Sequence, residues 1–205
     1  MMYKKSMQIK NLTAIVVLLW GSLNLLSARE GSEPLDETKT TNMLIDFTDK
    51  KAGHQMNVVN DGVMGGLSQG IIEMTQNDSL LFKGNISLQN NGGFSSFRIA
   101  GKLWDLSAWK GVEILVKGDG RTYGLRATTD ETFLRSSVSF TADFKTVKDE
   151  WVKLQIPFSK MKASWRGRKL DRNFDPAQIK GLGIILADKQ AGKFALEIKS
   201  ISAWK

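Results

Sequence analysis

The stretch Asn60-Asp61-Gly62-Val63-Met64-Gly65-Gly66-Leu67-Ser68 holds the most unusual pattern in the chain. Its glycines permit backbone at positive φ, and successive amides in such a loop can form a concave donor site for a carboxylate or phosphate. The lysine and Ser/Thr of a Walker loop are absent, as is the spacing of a dinucleotide fingerprint. If Asp61 turns back on its own loop, the same residues make only a compact strand connection. A second loop, Asn90-Asn91-Gly92-Gly93, leads into Phe94 and Arg98. A third, Gly118-Asp119-Gly120-Arg121, leads into Tyr123. Loops at one end of a sandwich can converge into a binding surface. Should these three meet, Asn60, Asp61, Ser68, Arg98, Asp119, Arg121 and Tyr123 supply hydrogen-bonding and stacking groups for a sugar or a polypeptide. Gly62, Gly65, Gly66, Gly92 and Gly93 then shape the backbone around them. The alternative for the Asp–Arg pairs is a solvated contact worth about 0 to 1 kcal/mol. Trp165-Arg166-Gly167-Arg168 adds a segment in which Trp165, Arg166 and Arg168 combine contact area with directional donors. Trp165 alternatively packs at a strand edge with its N–H bonded locally.

Several chemistries are excluded or lack their residues. With no cysteine in 205 residues, disulfides, thiolate metal sites, cysteine nucleophiles and lipoprotein acylation are ruled out. The single histidine, His54, sits in KKAGHQM without a nucleophile elbow or metal-ligand spacing nearby. Asp61, Asp105, Asp119 and Asp143 are available as paired carboxylates, but sequence alone brings no two of them to the separation glycoside hydrolysis needs. Calcium-loop spacing is absent. The expectation is a non-catalytic chain with no cofactor and no metal. Lys and Arg number 29 against 21 Asp and Glu, and Lys4, Lys5 and Lys10 of that excess lie in an acid-free leader. The remaining positive balance lacks the long basic run with interleaved aromatics that nucleic-acid grooves use, so no nucleic acid is expected as partner.

The elements that must position these groups are short strands. Residues 1–28 form a lysine-led, apolar leader, either a cleaved export signal or an uncleaved membrane anchor. Residues 29–41 form a flexible linker and 42–205 a folded domain. Alternation appears in Val138, Phe140, Ala142 and Phe144, in Val152, Leu154 and Ile156, and in Phe194, Leu196 and Ile198. Six further runs, Leu44–Phe47, Leu80–Phe82, Phe94–Ile99, Val112–Val116, Thr122–Ala127 and Leu182–Leu186, bring the expected strands to roughly nine. Only Asp175–Lys180, with Pro176 at a first helical position, suggests a helical turn. This spacing predicts an all-β jelly-roll sandwich of two antiparallel sheets.

The ordered strings NDGVMGGLSQG, LFKGNISLQNNGGFSSFR, VKGDGRTYGLR, WVKLQIPFSKM, WRGRK and LGIILADKQAGKFALEIKSI resemble the complex I intermediate-associated protein 30 family over about Met43 to Trp204. The resemblance implies a galactose-binding-domain-like β-sandwich, similar to carbohydrate-binding modules. It also implies, in mitochondria, a chaperone-like role in assembling NADH:ubiquinone oxidoreductase. The leader departs from a mitochondrial presequence, which is arginine-rich and amphipathic, and places the protein in the periplasm or cell envelope, free or anchored to the inner membrane. Two functions follow. The first is a protein-binding module whose partner is a respiratory-complex assembly intermediate. The second is an envelope carbohydrate-binding module, for which Trp104, Trp109, Trp151 and Trp204 are stacking candidates, the last two expected in the core.

Overall fold

The computed structural model describes residues 41–49 and 55–205; the leader, most of the linker and His54 lie outside them. Thirteen strands follow one another among the described residues. The first four are β1 (Thr41–Asp46), β2 (Met56–Asn60), β3 (Gln69–Met74) and β4 (Leu80–Ile86). Next come β5 (Ser95–Trp104), β6 (Gly111–Lys117), β7 (Thr122–Phe133) and β8 (Ser136–Lys145). The last are β9 (Trp151–Pro157), β10 (Lys162–Trp165), β11 (Arg168–Lys169), β12 (Ile179–Leu186) and β13 (Gly192–Trp204).

They form two antiparallel sheets. The six-stranded sheet runs β3-β4-β13-β6-β9, with β1 pairing along the second half of β13. The seven-stranded sheet runs β11-β10-β8-β7-β12-β5-β2. The all-β jelly-roll expectation therefore holds. The count exceeds nine because β2, β3, β10 and β11 are short or half-exposed and carry little alternation. The expected turn after Asp175 is a 3-10 turn at Pro176–Gln178, capped by the Asp175 carboxylate, which accepts from the amide of Ala177.

Alternation decides which side chains meet between the sheets. Val138, Phe140, Ala142 and Phe144 of β8 all point inward and are buried, as are Phe194, Leu196 and Ile198 of β13. Phe82 of one sheet meets Phe97 of the other edge-on at 5.3 Å and Phe194 at 4.8 Å. Fully burying such a side chain is worth roughly 1.5–3 kcal/mol. In β13 the pairing register with β6 shifts between Ile198 and Ser200. The shift moves the buried set from Phe194, Leu196 and Ile198 to Ile201 and Ala203, as an extra residue in a bulged strand must.

Trp151 departs from its expected core position. In β9 the inward residues are Val152, Leu154 and Ile156, so Trp151 falls on the opposite face with Lys153 and is 37% exposed. The ammonium groups of Lys117 and Lys199 lie 5.4 and 4.8 Å from its ring centre. Trp204 is half-buried, and Trp104 and Trp109 pack against the core from its margin.

Candidate functional site: a cleft on the seven-stranded sheet

Strand register places the three glycine loops at the same end of the sandwich, since Asn60 pairs with Ser95, Ser95 with Leu186, and Ile185 with Gly124. The loop carboxylates, however, face the protein. Asp61 is 1% exposed. Its Oδ1 accepts from the amide of Ser68 at 2.8 Å. Its Oδ2 accepts from the Ser68 hydroxyl at 2.5 Å and from the amides of Gly93 at 2.6 Å and Phe94 at 3.3 Å. Burial alone would raise this carboxyl's pKa, but the four donors outweigh it and hold the value below the ordinary one.

The neighbouring glycines make room for this carboxylate. A Cβ on Gly66 would overlap the carboxyl carbon of Asp61, and one on Gly92 would come within 2.6 Å of its Oδ2. Gly65 turns the chain at φ 87° and Gly93 at φ 126°, backbone that L side chains rarely adopt. Gly62 lies in a 3-10 turn, Asp61–Met64, with open space beside it. Asn60 fastens the same corner: its Oδ1 accepts from the Gly70 amide at 3.1 Å and the Ser95 hydroxyl at 2.6 Å.

The third loop is locked separately. Arg121 donates from Nε and Nη2 to Asp188 at 2.9 and 2.6 Å, and also to the carbonyls of Gln190, Gly192 and Lys193. The hydrogen bond to Asp188 raises the Arg121 pKa despite burial, and Asp188 is held below its ordinary value because Arg121 outweighs the effect of desolvation. Asp119 accepts from the amides of Arg121 and Ala195 and from the hydroxyl of Tyr123. Tyr123 is fully buried, and burial followed by the Asp119 charge drives its pKa upward. Asp119, Arg121 and Tyr123 thus tie the β6–β7 turn to the β12–β13 connection.

What remains open is a cleft of about 1150 Å³ on the outer face of the seven-stranded sheet. The register lines up Asn57, Arg98, Gly183, Arg126, Thr141 and Lys162, one each from β2, β5, β12, β7, β8 and β10. Each is flanked in its own strand by inward-facing apolar residues, so the row faces outward. At the loop end the rim carries Asp61, Val63 and Met64; the far wall carries Trp165, Arg166 and Leu170. Trp165 is half-buried, donates from Nε1 to the Ser136 hydroxyl at 3.2 Å and meets Phe133 edge-on at 5.4 Å. The guanidinium of Arg166 stacks 5.1 Å from its ring centre. Arg168 is exposed on β11 and does not line the cleft.

Arg98 and Arg126 flank Gly183 on the cleft floor. Their buried Nε atoms find no acceptor, and neither guanidinium forms an ion pair among the described residues. Burial pushes the pKa of Arg98 down. Burial, followed by the charge of Arg98, pushes Arg126 down to about 10. Sequence reasoning found Arg98 and missed Arg126, together with the hydroxyls of Ser139 and Thr141. A signal exists: a cation between Leu125 and Ala127 repeats the pattern of Arg98 between Phe97 and Ile99. Their adjacency across β12 is a matter of register, which local pattern does not carry.

In sequence the chain is similar to an uncharacterized protein of Schizosaccharomyces pombe, 28% identical over 187 residues that cover 78% of this chain and 84% of that protein. It is also similar to the mitochondrial complex I intermediate-associated protein 30 of Mus musculus, at 26% identity over 178 residues. That match covers 77% of this chain and 54% of the mouse protein, so the chain spans about half the length of that relative. In fold it is similar to the family 11 carbohydrate-binding module of the cellulosomal cellulase Lic26A-Cel5E of Clostridium thermocellum. The TM-score is 0.59 at 14% identity, covering 80% of this chain and 94% of that one. The same module in complex with a β-1,3-1,4-mixed-linked tetrasaccharide gives the same TM-score, with 95% of that chain covered. The family model described as Complex I intermediate-associated protein 30 (CIA30) matches residues 45–198, and the chain belongs to that family.

Proposed function

We propose that this protein is a non-catalytic binding module that holds a protein partner, an assembly intermediate of a respiratory complex, in the cleft of the seven-stranded sheet. The observation that carries it is the division of labour among polar groups. The loop carboxylates are spent on the protein's own backbone, while the cleft presents uncommitted cations, hydroxyls and an apolar rim. Groups of that kind bind and orient. Of the carboxylates on the described lining, Asp61 and Asp188 are held ionised by their donors and make poor general acids, which leaves Asp143 without a partner for two-carboxylate chemistry. Family membership supports the class of partner. The lysine-led leader supports an envelope location, with membrane contact through residues 1–28 if they stay attached.

A photo-crosslinking residue at Ser139, on the cleft floor, tests this in the native host. Respiratory-complex subunits are expected among the crosslinked proteins, and the same probe at Trp151, on the opposite outer face, is expected to capture none of them. Equal capture from both faces, or no respiratory subunit from Ser139, overturns the proposal. The second reading, an envelope carbohydrate-binding module, is favoured by the cleft hydroxyls of Ser137, Ser139, Thr141 and Ser164. Saturable binding on a glycan panel that Ser139→Trp abolishes would establish it instead.

A further inference from the structure

We propose that Arg98 and Arg126 make the cleft floor a carboxylate-binding site, and that the partner segment lying on it is an extended acidic stretch of polypeptide. The inference rests on the proposed protein-binding role and names the chemistry of its ligand. Two like charges stand on strands that both pair with β12, with only Gly183 between them. Neighbouring strands lie about 4.8 Å apart, so the two Cα atoms are separated by roughly 10 Å and both forks can reach over the bare glycine toward one anionic group. Gly183 stays bare for a local reason: a Cβ there would run into the carbonyl oxygen of Phe97.

Folding alone gives no reason for this pair. Buried guanidinium nitrogens without acceptors cost free energy, and the mutual repulsion of the cations adds to it. Threonine or valine would suit an outward mid-strand position equally well. A carboxylate supplies the missing acceptors and the missing charge together. Lys162 extends the same positive row, while exposed Asp143 belongs to the neighbouring row, across from Gly124.

The walls favour polypeptide over acidic sugar. Val63 and Met64 are 74% and 63% exposed at the rim, aliphatic surface that suits apolar side chains flanking an acid and adapts to their shape. Trp165, the aromatic of the far wall, already carries Arg166 on its ring and Phe133 at its edge, so it offers little bare platform for a sugar face. A volume of about 1150 Å³ also exceeds the roughly 300–1,000 Å³ of most small-molecule sites.

The test is fluorescence polarisation with a labelled peptide in which glutamates alternate with leucines, its glutamine counterpart, and oligogalacturonate as a competing acidic glycan. The glutamate peptide is expected to bind about tenfold or more tightly than the glutamine peptide, and progressively less well as salt rises. Arg126→Gln and Arg98→Gln should each remove most of that preference, with Arg126→Lys retaining part of it. Melting temperatures of both glutamine variants should be unchanged or higher, because a repulsion is relieved. Equal affinity for the two peptides overturns the inference while leaving the Ser139 crosslink result, and with it the binding role, intact. Preferential binding of oligogalacturonate, binding of no probe, or a fall in melting temperature in both variants without a change in affinity also overturns it.

Discussion

Four donors make Asp61 the most heavily committed carboxylate of the glycine loops, and the glycines around it divide by what they do for it. Gly66 and Gly92 stand where a methyl group would strike the carboxyl, whereas Gly62 faces open space without positive φ. Gly66→Ala is therefore expected to cost about 1–3 kcal/mol and Gly62→Ala to stay within about 0.5 kcal/mol, both measured by urea unfolding; similar losses at the two sites would refute the account. Asp61→Asn turns one acceptor into a donor facing N–H groups and should cost about 1–3 kcal/mol. Glycine density alone advertised this loop in the sequence. The turn of its carboxylate back onto Ser68 was one of the two readings the loop allowed, but the donors Gly93 and Phe94 were not legible, being more than thirty positions away in the chain.

Strand identity was legible wherever one face is buried and the other wet, as in β8, since period two is a local signal. It faded in β2 and β3, where burial is partial and the side chains at both faces are mixed. It failed to follow β13 through its register shift, where parity inverts after Ile198. The order of strands was not legible at all, and with it went the meeting of Arg98 and Arg126. Between elements, the most buried ion pair among the described residues joins Arg121 to Asp188, whose side chains are 11% and 6% exposed. Arg121→Ala strands a nearly buried carboxylate and frees three carbonyls, so a loss of about 3–5 kcal/mol is expected in chemical denaturation. An effect below 1 kcal/mol would show the connection to be held by its backbone.

For the whole molecule the depressed carboxyls set the acid limit. Asp61 and Asp188 both have folded pKa values below the ordinary 3.8. The native state therefore binds fewer protons than the unfolded chain as pH falls through that range. Their contribution is fully present above the ordinary value and is lost as pH drops through the folded values. Melting temperature should hold a plateau from neutral pH down to about 5 and fall below about 4; a decline that begins nearer neutrality would refute the assignment.

β13 is the last of the described strands to leave the ribosome, yet β1, β4 and β6 all hydrogen-bond to it. Until it emerges, β3 can pair with β4 and β6 with β9, but no strand joins those two pairs into one sheet. A chain cut short before β13 should therefore keep that sheet in two separate pieces and leave β1 without its partner strand.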